Sequence, residues 1–246
     1  HTYSQFEDCY NIVRKIGFKN INVDLMLGLP NQNLDDLIGS VNNVIKLNPN
    51  HISCYSLILY ENTKLYKDII ENKYILPNDD LERDMYYKMV ELLKDNGYRQ
   101  YEISNFALRS SKGELDKSIH NSSYWSKEPY LGLGPAAHSY NGYQRFWNTS
   151  SIVKYCKHYL GHCADVNVSD IETLTDEDKF NESVMLGLRT CKGVNLNDLD
   201  AKYLSNIQQY IKMHLHRGNL VLDGDTIKIP SDKLFVSDGI IKDLFV

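Results

Sequence analysis

Few folds accommodate the nearly continuous apolar run at residues 20–29, Asn-Ile-Asn-Val-Asp-Leu-Met-Leu-Gly-Leu, which Pro30 follows. Such a run is typical of a parallel strand buried on both faces, with polar residues only where they point into a site. A helical pattern ending at Gly17 precedes it, a helix capped near Asn33 follows it, and residues 51–59 form a second apolar run. This order of helix, strand, helix and strand predicts right-handed parallel crossover units of a barrel or an open sheet.

The rest of the chain shows a different pattern. Residues 81–96 predict a capped helix, and residues 98–107 predict an extended segment. Residues 119–147 are rich in aromatics, glycines and histidines. Residues 174–246 predict helices followed by a hairpin with an Asp-Gly-Asp turn at 223–225, which is typical of a winged-helix-like module.

Composition excludes several classes of protein. With 246 residues, 42% of them hydrophobic and 24% charged, the chain can bury a core and is too mixed to be disordered. A net charge of −5 without a basic stripe argues against a general nucleic-acid binder. No apolar run approaches the roughly 18 residues needed to span a bilayer, so we expect a soluble protein. The 5 cysteines are odd in number and widely spread, which favours a reducing cytoplasm. None forms a Cys-x-x-Cys pair, so the sequence shows no self-contained zinc or iron–sulfur site.

Asp24 lies in the middle of the first apolar run, where an ionised carboxylate is costly unless it is paired or hydrogen-bonded. One interpretation is that it faces a ligand cavity and accepts hydrogen bonds from ribose hydroxyls or a basic partner. The other is a buried acid paired with backbone or with a lysine. The Gly-Leu-Pro turn at 28–30 would lie at the C-terminal end of the strand, where parallel sheets bind ligands, although such residues also merely turn a chain.

Two histidines lie in the region rich in aromatics. His120 is flanked by Tyr124 and Trp125, which suits an axial heme ligand between aromatic walls. Composition alone favours the alternative, a loop histidine packed among aromatics. His138 follows the Gly-Leu-Gly at 132–134, which lacks the third glycine of a dinucleotide fingerprint. Close backbone approach to a neighbouring segment or to a flat ligand explains these glycines better.

Two further clusters favour no ligand site. A thiol–imidazole cluster consists of Cys156, His158, His162 and Cys163. Its spacing matches no structural zinc site, which favours ordinary surface and core residues. A short basic patch consists of Lys212, His214, His216 and Arg217. Acids in the neighbouring hairpin favour a protein or intramolecular contact over DNA for this patch.

Five segments together carry a family resemblance. They are Asn-Ile-Asn-Val-Asp-Leu-Met-Leu-Gly-Leu-Pro-Asn-Gln at 20–32, Leu-Asn-Pro-Asn-His-Ile-Ser-Cys-Tyr-Ser-Leu at 47–57, Tyr-Glu-Ile-Ser-Asn-Phe-Ala at 101–107, His-Asn-Ser-Ser-Tyr-Trp at 120–125 and Tyr-Leu-Gly-Leu-Gly-Pro-Ala-Ala-His-Ser-Tyr at 130–140. In this order they resemble the radical SAM oxygen-independent coproporphyrinogen oxidase family. The His-Asn-x-x-Tyr-Trp segment resembles its heme-chaperone (HemW-like) branch rather than the true oxidase.

The resemblance implies an α/β fold, the C-terminal part of a partial six-unit β/α barrel followed by a mostly helical, winged-helix-like domain. Residues 1–110 would belong to the barrel, residues 111–168 to a connecting region and residues 169–246 to the accessory domain. It also implies a three-cysteine cluster loop, a Gly-Gly-Thr-Pro segment and four barrel strands ahead of His1. These are absent from the sequence, so we expect this chain alone to be catalytically inert.

The resemblance also implies cofactors, which in the intact protein are S-adenosylmethionine and a 4Fe–4S cluster. Asp24 matches the strand-end aspartate that contacts S-adenosylmethionine, Ile58 matches a backbone contact at the next strand, and His138 matches a contact in the glycine-rich segment. His120 matches the histidine of the motif suspected in heme handling. The resemblance assigns no catalytic residue and no cluster ligand to this chain.

The leading functional hypothesis is heme binding and delivery to acceptor hemoproteins. The alternatives are oxidative decarboxylation of coproporphyrinogen III to protoporphyrinogen IX, and a non-catalytic interaction module. Heme or porphyrin and an acceptor hemoprotein are the expected partners, whereas nucleic acid and a membrane span are not expected.

Overall fold

The computed structural model describes residues 2–161 and 169–246, which group into two compact units. The first unit comprises the described residues of His1–Ser118, Arg189–Cys191 and Ser231–Val236. The second comprises those of Ile119–Leu188, Lys192–Pro230 and Ser237–Val246. Each unit contains helices and sheets, so the predicted α/β class is confirmed. The finer division at residues 110 and 168 stays a prediction.

The first unit is built on a four-stranded sheet. Its helices are α1 (Tyr3–Ile16), α2 (Leu34–Leu47), α3 (Lys64–Ile70) and α4 (Asp79–Asp95), and its strands are β1 (Asn22–Leu27), β2 (His51–Ser56), β3 (Arg99–Gln100) and β4 (Asn105–Ala107). The strand order is β1-β2-β4-β3, with β1 and β2 parallel and β4 antiparallel to both of its neighbours. The parallel pair confirms the predicted crossover unit. The segment predicted as extended is instead two short strands on either side of a turn.

Local sequence explains where the helices of this unit begin and end. Thr2 and Asn33 are N-cap residues of α1 and α2, and each forms a capping box with the residue three positions on, Gln5 and Asp36 respectively. These side chains satisfy backbone N–H groups that have no partner within the helix. Helix α1 ends at Gly17, whose φ of 110° is a conformation that a side chain would strain.

One face of the sheet packs against the helices and forms the core of the first unit. Val23, Leu27, Ile52 and Phe106 on this face are 0–5% exposed. The buried helix residues in the same cluster include Leu37, Val41 and Val44 of α2 and Met85, Met89 and Leu93 of α4. Full burial of one such side chain contributes roughly 1.5–3 kcal/mol, so this face contributes strongly to the stability of the unit.

The opposite face of the sheet is polar. Burial alternates along β1, so the prediction that this strand is buried on both faces is wrong for the described part of the chain. The register pairs Asn22 with His51, Asp24 with Ser53, and Ser53 with Asn105. Residues paired in register point to the same face, so these polar side chains lie together. Among the described residues no further strand pairs with the outer edge of β1.

The described part of the second unit contains five helices and two three-stranded antiparallel sheets. The helices are α5 (Ile119–Trp125), α6 (Ile152–Tyr159), α7 (Asp176–Leu188), α8 (Ala201–His216) and α9 (Ser237–Lys242). The strands are β5 (His138–Tyr140), β6 (Gln144–Asn148), β7 (Ser169–Thr173), β8 (Val194–Asn195), β9 (Val221–Asp223) and β10 (Thr226–Lys228), in the orders β5-β6-β7 and β8-β10-β9. The predicted Asp-Gly-Asp hairpin is confirmed in β9 and β10. No helix in the described ranges is long and apolar enough to cross a bilayer.

Candidate functional site

Asp24 lies exposed on the polar face of the first unit, in the middle of β1. Its Oδ1 accepts a 2.7 Å hydrogen bond from Nδ2 of Asn22, and the described contacts pair its carboxylate with no lysine or arginine. The interpretation of a buried acid paired with a lysine is therefore wrong. A carboxylate with one oxygen held and the other open is suited to accept hydrogen bonds from ligand hydroxyls.

Asn22 also contacts a buried histidine. Its Oδ1 lies 2.7 Å from Nδ1 of His51 and accepts a 3.2 Å hydrogen bond from Ser53 Oγ. Because an amide oxygen can only accept, Nδ1 of His51 carries the proton, and Nε2 accepts from the Tyr101 hydroxyl at 2.7 Å. The Tyr101 hydroxyl in turn accepts from the N–H of Ser118 at 3.1 Å. Every hydrogen bond in this series therefore has a fixed direction.

Burial keeps the side chains of His51 and Tyr101 uncharged. His51 is 5% exposed, and its burial lowers the pKa of the imidazole, an effect that the negative charge of Asp24 partly opposes. Burial also raises the pKa of Tyr101 to about 12, so the phenol stays protonated at neutral pH. We call Asp24, Asn22, His51 and Tyr101 the polar-face network. Its neutral members fix Asn22 and thereby the position of the Asp24 carboxylate.

The C-terminal ends of β1 and β2 lie side by side in the first unit. The N–H of Leu57 donates to the carbonyl of Leu27 at 2.9 Å, which extends the parallel pairing. Ile58 follows and is 68% exposed. Asp24 thus lies within β1, and Ile58 follows the C-terminal end of its parallel neighbour β2. Ligands of β/α folds bind at the C-terminal ends of such strands.

Sequence reasoning assigned no role to two buried polar groups near this face. Glu102 is 2% exposed, and burial raises the pKa of its carboxyl, although the Ser104 N–H donates to it at 3.0 Å and the charge of Arg189 opposes the shift. Asn105 is 3% exposed, and within the described ranges its Oδ1 has no hydrogen-bond partner. Both belong to the Tyr-Glu-Ile-Ser-Asn-Phe-Ala segment, which carried the resemblance without pointing to chemistry.

His120 lies in the second unit, exposed on α5. Tyr124, one helical turn later, meets its ring edge-on with the centroids 5.0 Å apart. The rings of Tyr124 and Tyr130 are 4.8 Å apart, and those of Tyr130 and Tyr140 are 6.3 Å apart. We call these four residues the aromatic row. The imidazole at its end is open to a ligand, on a helix rather than in the loop that the alternative interpretation assumed.

His138 begins β5 and is exposed. Its ring stacks on that of Trp147, with the centroids 5.4 Å apart and the planes 26° apart. Nearby, a Cβ on Gly132 would clash with the His138 carbonyl oxygen, and the Gly132 N–H donates to Ser139 Oγ at 2.9 Å. The predicted close backbone approach is therefore confirmed, and it is to a neighbouring segment.

The described residues offer no ligand set for an iron–sulfur cluster, because no three His, Cys, Asp or Glu side chains among them form a metal-binding group. Cys156 is exposed, whereas His162 and Cys163 of the thiol–imidazole cluster lie outside the described residues. The basic patch is smaller than its sequence suggested. His214 is 3% exposed and lies 3.2 Å from a carboxylate oxygen of Asp243, so its side chain is not part of a surface patch.

Comparison with known proteins relates the sequence to heme chaperones. The family described as HemN C-terminal domain matches residues 174–230. The chain is 38% identical over 192 residues to the heme chaperone HemW of Bacillus subtilis, which covers 77% of this chain and 48% of that protein. It is 31% identical over 209 residues to the heme chaperone HemW of Lactococcus lactis, with 85% and 53% covered. The chain thus spans about half the length of these relatives.

A solved structure agrees with the fold. Coproporphyrinogen III oxidase (HemN) from Escherichia coli, described as a radical SAM enzyme, matches with a TM-score of 0.78 at 17% sequence identity. The match covers 100% of this chain and 59% of that enzyme. At this identity the likeness shows the fold alone, and it confirms the α/β fold predicted from the family resemblance. By its sequence, the chain is a HemW-like member of the radical SAM family over the part of the family's length that it spans, and its fold agrees.

Proposed function

We propose that the intact protein binds heme and delivers it to hemoproteins. Two relatives at 38% and 31% identity carry the name heme chaperone. In this chain the proposal rests on the exposed imidazole of His120 beside the ring of Tyr124. Neutral imidazole is a common axial ligand of heme iron, and aromatic rings favour contact with a flat macrocycle. Heme or porphyrin and an acceptor hemoprotein would be the partners, and the cytoplasm would be the compartment.

We also propose that the intact protein uses S-adenosylmethionine and a 4Fe–4S cluster. The open carboxylate oxygen of Asp24 fits a ribose hydroxyl, Ile58 offers exposed backbone and apolar surface, and His138 offers an exposed ring. When bound, these cofactors would supply one-electron chemistry, while the residues of this chain orient the nucleoside. The ligands of the cluster would come from outside the described residues.

The second candidate function is oxidative decarboxylation of coproporphyrinogen III to protoporphyrinogen IX, which the fold likeness to HemN favours. Formation of protoporphyrinogen by the reconstituted full-length protein would support this oxidase function. Heme binding without that product would support the chaperone. A non-catalytic interaction module is the remaining candidate if the protein shows neither property.

Replacement of His120 by alanine is expected to weaken heme binding at least about tenfold, because tenfold corresponds to only ~1.4 kcal/mol and the change removes the proposed iron ligand. Titration with hemin, followed at the Soret band, gives the Kd. His216→Ala removes another exposed histidine of the second unit and should leave the Kd unchanged. An equal Kd for hemin in the unchanged protein and in the His120→Ala variant would count against heme binding through this residue.

Replacement of Asp24 by alanine is expected to weaken binding of S-adenosylmethionine to the reconstituted full-length protein roughly tenfold, because hydrogen bonds to a charged group contribute ~1.5–3 kcal/mol. Equilibrium dialysis with labelled S-adenosylmethionine measures this effect. Asp35→Ala, which removes an exposed carboxylate in the first turn of α2, is the matched control. Unchanged affinity in the Asp24 variant would rule out its proposed role without affecting the heme proposal.

A further inference from the structure

A cavity of about 170 Å³ in the second unit lies next to the aromatic row. Tyr124, Tyr130 and Tyr140 form one part of its wall, and the charged side chains of Lys127, Arg145 and Glu182 form another. We call it the tyrosine cavity. It is smaller than the roughly 300–1,000 Å³ of pockets that enclose a whole drug-sized ligand, so it suits one arm of a larger molecule.

The tyrosine cavity contains more buried positive than negative charge. Glu182 is 8% exposed and forms an ion pair with Arg145. Lys127 is half-buried, and its Nζ donates to the Lys179 carbonyl at 3.3 Å and to Ser183 Oγ at 2.5 Å, both of which are neutral acceptors. The described contacts pair Lys127 with no carboxylate. Two cations therefore share one buried carboxylate.

The rim of the cavity does not remove this imbalance. Glu128 also lines the cavity, and Asp178 interacts with the charge of Arg145. Glu128 is exposed and Asp178 is only partly buried, so water screens both charges. Burial lowers the pKa of the Lys127 ammonium, and the nearby charge of Arg145 adds to this effect while that of Glu182 opposes it. A second carboxylate inside the cavity would balance the charges and form charge-assisted hydrogen bonds.

Lys127 occupies a position where a glycine would be more stable. It follows the end of α5 with a φ of 57°, and its N–H donates to the carbonyl of Tyr124 at 3.1 Å. Helix ends of this kind favour glycine, because a side chain strains the left-handed backbone conformation. The ammonium is therefore held in the cavity at a cost to backbone stability, as is common at functional positions.

The cavity and the exposed histidine share one wall. Tyr124 lines the cavity and also contacts the ring of His120. Heme is a flat molecule with carboxylate-bearing propionate arms, so it could contact both places at once. We propose that the tyrosine cavity binds a propionate carboxylate of the heme held at His120, with Lys127 as its main cationic partner. This inference rests on the proposed heme binding and adds the group by which the ligand is recognised.

Hemin and hemin dimethyl ester distinguish the two proposals, because esterification removes the carboxylate charges and leaves the iron and macrocycle unchanged. The parent protein is expected to bind hemin about tenfold more tightly than the ester, since hydrogen bonds to charged groups contribute ~1.5–3 kcal/mol. Lys127→Met should lose most of this preference by weakening hemin alone. His120→Ala should weaken both ligands.

Two further variants control for folding and for general charge effects. Lys154→Met removes an exposed lysine of the second unit and should keep the preference for hemin. Lys127→Gly suits the left-handed backbone and should behave like Lys127→Met even if the latter unfolds. Equal affinity of the parent protein for hemin and ester, or a full preference in Lys127→Gly, would overturn the propionate site alone. No binding of either ligand would overturn heme binding itself, and the propionate site with it.

Discussion

Replacing Phe106 with alanine is expected to lower the free energy of unfolding of the first unit by about 3–5 kcal/mol. Phe106 is 1% exposed, lies on β4, one of the two inner strands of the sheet, and belongs to the core that the sheet forms with α2 and α4. Alanine would remove the largest side chain of this sheet face and leave a cavity that the paired strands cannot close. Urea unfolding, followed by far-UV circular dichroism, measures the effect.

The matched control is Phe18→Ala, which makes the same chemical change at a side chain that is 59% exposed. Surface substitutions usually change stability by less than about 0.5 kcal/mol. A difference of several kcal/mol between the two variants would therefore report burial of Phe106 rather than loss of an aromatic ring. Similar losses in both variants would contradict the described core.

Replacing His51 with leucine is expected to destabilise the first unit by about 2–3 kcal/mol, although leucine is more hydrophobic. The change removes the acceptor of the Tyr101 hydroxyl and a donor to Asn22 inside a region where water is scarce. Each buried polar group left without a partner costs about 1–3 kcal/mol. His216→Leu, at an exposed position, should have little effect on urea unfolding.

The loss of stability in the His51→Leu variant should depend on pH. Burial lowers the pKa of His51 below its ordinary value of 6.5. Between these two pKa values the unfolded chain binds a proton that the folded chain does not bind. The contribution of His51 is therefore complete above about pH 6.5 and declines as the pH falls through that value toward the lowered pKa. The stability difference between the parent protein and His51→Leu should shrink between pH 7.5 and pH 5.5. A difference that grows on acidification would show that His51 is charged in the fold.

Sequence patterns predicted the parts of the fold that depend on local order. The apolar runs that became β1 and β2, separated by a capped helix, predicted a parallel pair, and the Asp-Gly-Asp turn predicted the last hairpin. Residues 98–107 were predicted to be extended, but their division into the antiparallel strands β3 and β4 was not predicted. Residues 101–103 between them hydrogen-bond to the distant segment Arg189–Cys191, so the turn depends on contacts that no short window contains.

The candidate site was predictable only where a residue conflicted with its surroundings. Asp24 was found because a carboxylate is unusual in an apolar run, whereas its exposure depends on which face the helices cover. His51 opens an apolar strand and looked like any core residue, so its contacts with Asn22 and Tyr101 became visible only in the fold. Lys127 gave no signal either, because its neighbours in the tyrosine cavity come from distant positions in the chain.

The carboxamide of Asn22 joins Asp24 and the buried imidazole of His51 by hydrogen bonds but does not readily pass a proton between them. Proton hopping along a series of hydrogen bonds requires each member to accept a proton and release another, which a neutral amide does not readily do. Although Asn22 touches both Asp24 and His51, its carboxamide provides no direct relay for a proton from the histidine to the carboxylate. The polar-face network therefore positions the Asp24 carboxylate without transferring protons to it, and a bound nucleoside would meet a carboxylate that is held in place.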